Sequence, residues 1–98
     1  MINIKLTHNT YIITFVNISR INSKNILQIT SNLNRGLDKL DNEIILNFSG
    51  IRFIDSFSLQ KLCDFINKNK MNKIRIINAS DDVKEIINLN DKFHKIKI

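Results

Sequence analysis

Ile44-Ile45-Leu46-Asn47-Phe48-Ser49-Gly50-Ile51-Arg52-Phe53-Ile54-Asp55-Ser56-Phe57-Ser58-Leu59 is the stretch from which the rest of the chain can be read. It opens on a short, nearly continuous apolar run, the pattern of a strand buried on both faces of a parallel or mixed sheet. Ser49-Gly50 breaks the run, because glycine reaches backbone angles closed to an ordinary strand residue. Ile51 to Ile54 is a second short extended piece. After Asp55-Ser56 the period changes, and Leu59, Leu62, Cys63 and Ile66 recur at helical spacing as one apolar stripe. A helix start exposes unpaired N–H groups and a partial positive charge, which favour anions and phosphate. The polar group Asp55-Ser56-Phe57-Ser58 at that junction is therefore the place to look for function.

Upstream of this stretch, Ile2–Leu6 alternates apolar and polar residues as an edge strand does, and His8-Asn9 makes a turn. Tyr11–Ile18 is rich in β-branched and aromatic residues and reads as a second strand, paired with the first in a hairpin at one end of the sheet. Ser23 is the expected N-cap of a helix whose buried face is Ile26, Ile29 or Thr30, Leu33 and Leu37. Gly36 belongs near the end of that helix, since an internal glycine costs up to ~1 kcal/mol. Asp41-Asn42 then turns the chain into the central strand.

Downstream, a second helix runs from Ser56 to about Asn69. Met71-Asn72 connects it to a third apolar strand over Lys73–Asn78. Ser80 caps a last helix with Asp81, Asp82 and Glu85 in its first turns, where acidic residues suit the dipole. Val83, Ile86 and Ile87 form its buried face, Leu89 closes it, and Phe93–Ile98 ends the chain as a strand. The order is strand–strand–helix–strand–helix–strand–helix–strand. It implies an α/β fold in a single domain over residues 1–98, with a mixed sheet of about five strands, three helices and right-handed parallel crossovers.

Composition narrows the function. Ninety-eight residues suffice for one core without disulfides or a structural metal, and the single cysteine excludes a disulfide framework. No apolar run approaches the ~18 residues that span a bilayer. Met-Ile-Asn-Ile-Lys-Leu lacks the layout of a signal peptide, so a cytoplasmic protein without membrane insertion is expected. The net charge of +6 raises a nucleic-acid reading. The lysines are scattered, acids lie among them, and no aromatic-rich binding motif accompanies them, so no nucleic-acid partner is expected. A bias toward Ile, Asn and Lys points to codon composition instead. Lys68, Lys70 and Lys73, and again Lys92, His94, Lys95 and Lys97, read as solvated faces.

The sequence has no Gly-rich phosphate loop, no metal-ligand spacing and no nucleophile motif. Asp55 lacks the second group that general-base catalysis needs. His8 and His94 fall on surface segments, and Cys63 lies on the apolar stripe as a small core residue. We expect no catalytic residue, no metal, no cofactor and no enzymatic activity.

Ile44–Leu59 resembles the central segment of STAS domains, the fold of bacterial anti-sigma factor antagonists. In that family a buried strand leads through a short apolar link to Asp-Ser-Ser-Gly-Leu at a helix start; this chain reads Asp55-Ser56-Phe57-Ser58-Leu59. The resemblance extends from about Tyr11 to Ile98, and Ser80–Leu89 is similar to the family's third helix. The first Ser of the motif is the phospho-acceptor of switching members, and its match is Ser56. The motif's second Ser and Gly are replaced by Phe57 and Ser58. The acidic end of the family's second strand, which lies beside the acceptor and helps bind the kinase, is replaced by Asn17-Ile18-Ser19-Arg20.

What the resemblance implies is a non-enzymatic partner-switching protein of signalling and transcription regulation. It would bind an anti-sigma factor that is also a serine kinase, be released by phosphorylation of Ser56, and be reset by a phosphatase. The partner-facing residues would be Asp55, Ser56, Phe57 and Ser58, with Phe57 pointing away from the Leu59–Ile66 stripe. The alternative is a constitutive STAS subunit or scaffold of a signalling or transport assembly, in which Ser56 is only a helix cap.

Overall fold

Two strands, β1 (Ile2–Thr7) and β2 (Thr10–Phe15), form the expected hairpin, with Thr7 opposite Thr10 across the two-residue loop. His8 accepts a φ of +54° there, as tight hairpin loops demand of one or both of their residues. The computed structural model describes residues 2–36, 43–68 and 74–89. β2 stops at Phe15, short of the expected Ile18, because Asn17 takes a φ of +59° and turns the chain. Asparagine tolerates that left-handed conformation better than most residues.

Next come β3 (Arg20–Ile21) and the helix α1 (Ile26–Gly36). Asn22, not Ser23, organises the start of α1. Its carboxamide oxygen accepts the Lys24 N–H at 2.9 Å, and its carbonyl accepts the Ile26 N–H at 2.9 Å. Asparagine and serine are near-equivalent at a cap, so pattern alone does not separate neighbours. Asn25 locks the turn by donating to the Arg20 carbonyl at 2.7 Å. Ile26, Ile29 and Leu33 are the buried face of α1, and Gly36 ends it. A Cβ on Gly36 would run into the Ile4 side chain, so the glycine also lets the helix end close onto β1.

The central strand β4 (Glu43–Asn47) lies parallel to β2, with Tyr11 opposite Ile44 and Ile13 opposite Leu46. A β-turn follows: the Ile51 N–H reaches the Phe48 carbonyl at 2.9 Å, and Gly50 sits at φ +88°. β5 (Phe53–Ile54) leads into α2 (Ser56–Lys68), then β6 (Ile74–Ile77) and α3 (Asp81–Asn88). β6 pairs parallel to β4, placing Ile76 opposite Leu46. The main sheet is mixed, in the order β1-β2-β4-β6, and β3 and β5 form a second, two-stranded parallel sheet. Among the described residues the architecture is thus three helices with four strands plus two.

The core lies on one face of the main sheet. Tyr11, Ile13, Phe15, Ile44, Leu46 and Ile76 are buried there beneath the helices. The opposite face carries Ile12, Thr14, Ile45, Asn47 and Ile77, all half-buried. The nearly continuous apolar run Ile44–Phe48 is therefore sealed on one face, not on both. Ser80 caps α3 as expected, its hydroxyl accepting the Val83 N–H at 3.2 Å. Val83 and Ile87 are buried, whereas Ile86 packs at the margin of the core. The expectations for Leu37, Asp41-Asn42, Met71-Asn72 and the strand Phe93–Ile98, and for burial of the Ile66 side chain, lie outside the described residues.

Candidate functional site

Parallel neighbours end at the same edge of a sheet, so the segments that follow β2 and β4 gather at one end of the molecule. They join there through backbone. Ser19 accepts the Arg52 N–H at 2.7 Å and the Phe53 N–H at 3.3 Å, and Ile21 accepts the Asp55 N–H at 3.2 Å. Arg20 and Ile21 thereby stand beside Phe53 and Ile54. Underneath, Phe15 and Phe48 meet edge to face, with ring centroids 5.5 Å apart. Asn47 braces the same end by accepting from the Ser49 N–H at 3.1 Å and from the Asn78 side chain at 3.0 Å.

Asp55 is the N-cap of α2. Its carboxylate accepts the Ser58 N–H at 2.7 Å, and its carbonyl accepts the Leu59 N–H at 3.0 Å. That is the geometry in which a side chain satisfies the third helical N–H. Ser56 follows as the first helical residue and is exposed. The capping role thus falls to Asp55 and not to Ser56. Phe57 projects outward and is 54% exposed, as its place off the apolar stripe predicts.

Ser58 departs from expectation. Expected among the partner-facing residues, it is instead completely buried, and its hydroxyl has no hydrogen-bond partner. The reason is helical period: Ser58 lies one turn before Leu62, on the face that carries Leu59, Leu62 and Cys63 into the core. The structure therefore brings Asp55, Ser56 and Phe57 to one surface and turns Ser58 away from it.

Three further exposed residues lie on the segments around this helix start. Phe53 is 40% exposed, since in β5 it alternates with buried Ile54. The Arg20 guanidinium lies over the Phe53 ring, 6.0 Å from its centroid. The Lys61 ammonium lies over the Phe57 ring at 5.4 Å. The Phe57–Lys61 pair was available as an i, i+4 spacing on the helix. The Arg20–Phe53 pair depends on the β3–β5 register, which two such short strands do not announce. Among the described residues no three His, Cys, Asp or Glu side chains cluster as a metal site would require. No described helix is long and apolar enough to cross a membrane.

The α/β domain thus sets an exposed serine on an acid-capped helix start, flanked by solvent-facing aromatics. The chain belongs to the STAS domain family, whose model matches residues 2–98. No curated protein sequence matches it. Among solved structures, it is similar to a candidate anti-sigma factor antagonist from Thermotoga maritima, with 20% identity and a TM-score of 0.70 over 99% of this chain and 86% of that one. The phosphorylated Bacillus cell fate determinant SpoIIAA is similar at 14% identity and TM-score 0.64, over 98% of this chain and 88% of that one. The murine anion transporter Slc26a9 contains a similar domain, with 16% identity and TM-score 0.70 over 94% of this chain but 16% of the transporter. At these identities the likeness is one of fold.

Proposed function

We propose that this STAS domain is a partner-switching protein, a binding module rather than an enzyme, whose state is set by phosphorylation of Ser56. The observation that carries the reading is the division of labour at the start of α2. Asp55 caps the helix, which leaves the Ser56 hydroxyl exposed beside Phe57. The unmodified surface binds an anti-sigma factor that is also a serine kinase. Phosphorylation adds about −1.5 to −2 charges and three acceptor oxygens. The helix N-terminus tolerates that charge, whereas a partner surface shaped for a hydroxyl has to desolvate it. The partner leaves, and a phosphatase restores the hydroxyl. In this reading the protein works in the cytoplasm, in a pathway of transcription regulation.

A second reading is a constitutive STAS subunit or scaffold of a signalling or transport assembly. The replacements at Phe57 and Ser58 favour it, and the fold is shared with part of a transporter. One experiment separates the two. Ser56→Asp should fold like wild type and bind the partner more weakly, Ser56→Ala should bind but resist release by kinase and ATP, and phosphosite mapping should find Ser56. Wild-type affinity in Ser56→Asp would establish the constitutive reading instead.

A further inference from the structure

Building on the reading of Ser56 as the centre of a partner-facing surface, we infer that this surface is a cation-capped aromatic platform that recognises an acidic face on a protein partner. Two exposed rings, Phe53 and Phe57, flank Ser56 along the chain, and each has a cation over it, Arg20 on Phe53 and Lys61 on Phe57. Arg52, also exposed, adds a third positive charge between β4 and β5. The nearest acid, Asp55, whose carboxylate accepts the Ser58 N–H at 2.7 Å, offsets only one of these three charges. Asp64, the acid within α2, lies three residues beyond Lys61 and further from the helix start.

A cation held over a ring still presents N–H groups outward. A partner carboxylate completes a stack of ring, cation and carboxylate through charge-assisted hydrogen bonds. The rings supply the apolar contact that anchors an interface, and the rim charges set which partner is accepted and how fast it arrives. A nucleic acid would meet the same charges. Two isolated rings, each beside its own cation, do not make the row of aromatic faces on which successive bases stack. The surface also explains release: a phosphate on Ser56 sets negative charge on the platform itself, where it draws Arg20 and Lys61 to itself and repels the partner's carboxylates.

The test selects a phage-displayed library of random linear peptides against the full chain. Binders should combine Asp or Glu with aliphatic or aromatic residues. Their affinity should fall about tenfold or more in the double variant Arg20→Glu/Lys61→Glu and should weaken with added salt. Both substituted residues are exposed, and an unchanged thermal unfolding curve verifies that the variant is folded. Phe57→Ala should give a similar loss without any change of charge sign. The inference is overturned if no peptide is selected, if the selected peptides lack acidic residues, or if they bind the double variant as tightly as wild type. It is equally overturned if single-stranded oligothymidine displaces them at physiological ionic strength. Ser56→Asp distinguishes this inference from the reading beneath it. If charge reversal abolishes peptide binding and Ser56→Asp leaves it intact, the acidic-partner surface stands and the phosphorylation switch fails.

Discussion

Ser58 shows how one residue changes the meaning of a motif. Its hydroxyl is buried without a partner, which costs about 1–3 kcal/mol relative to an apolar atom in the same place. Ser58→Ala should therefore raise stability by roughly 1 kcal/mol in urea unfolding, helped by alanine's helix propensity. A loss of stability would mean that the hydroxyl has found a partner. The sequence offered both halves of this position: the motif made Ser58 look functional, and the stripe through Leu62 put it in the core. Periodicity was the better guide, because burial follows from helix geometry whatever the motif. Cys63, on the same face, is buried, as its place on the apolar stripe predicts. Burial, reinforced by the neighbouring Asp64 carboxylate, pushes its thiol up to about 12 from the ordinary 9.0. The unfolded chain thus gives up this proton near pH 9.0, while the folded chain keeps it to about 12. Cys63 makes no pH-dependent difference below that window, and within it stability falls as pH rises. Urea midpoints measured on either side of pH 9.0 should fall more steeply for wild type than for Cys63→Ala. Equal slopes would show an accessible, ordinary thiol.

Individual elements were legible where pattern and capping agree. For α3, Ser80, the acidic first turn and the apolar spacing all point to the same helix, and the structure has it over Asp81–Asn88. What the pattern could not rank was the depth of its apolar residues. Val83 and Ile87 are buried, while Ile86, on the same face by spacing, sits at the edge of the core. Ile87→Ala should cost roughly 2–5 kcal/mol, and Ile86→Ala about 1 kcal/mol, because a half-buried side chain loses less contact and leaves no closed cavity. Urea unfolding of both variants checks the ranking, and equal costs would place Ile86 as deep as Ile87. The shortest elements were hardest to see. β5 lay within the extended piece Ile51–Ile54, but its partner β3 has two residues and no period to detect, so the Arg20–Phe53 pairing appears only with tertiary register. At α1, the expected cap Ser23 lies in the turn ahead of the helix; Asn25 directly precedes Ile26, its carbonyl accepting the Ile29 N–H at 2.9 Å and its side chain tying the turn back to Arg20.

Across the whole molecule, the alternation of strands and helices was enough to give the parallel core β2-β4-β6 and the hairpin at its edge. The layering was less legible. A nearly continuous apolar run suggests burial on both faces, but in β4 the residues alternate, with Ile44 and Leu46 sealed beneath the helices and Ile45 half-buried on the opposite side. The register carries this asymmetry across the sheet, through Ile13, Leu46 and Ile76 on the closed face and through Ile12, Ile45 and Arg75 on the other. Exposed Arg75 in that second row is the residue that a two-sided core would not accommodate, since a charge buried without a partner is costly. Two neighbouring truncations on one strand therefore separate the faces. Leu46→Ala opens a cavity in the packed core and should cost about 3–5 kcal/mol, with a drop of several degrees in Tm. Ile45→Ala removes a side chain that neighbours only partly cover, and should cost about 1–2 kcal/mol. The measurement is the urea midpoint of each variant at a common m-value, so that the comparison reports stability and not a change in the unfolded state. If the two costs are equal, the second face is as fully packed as the first.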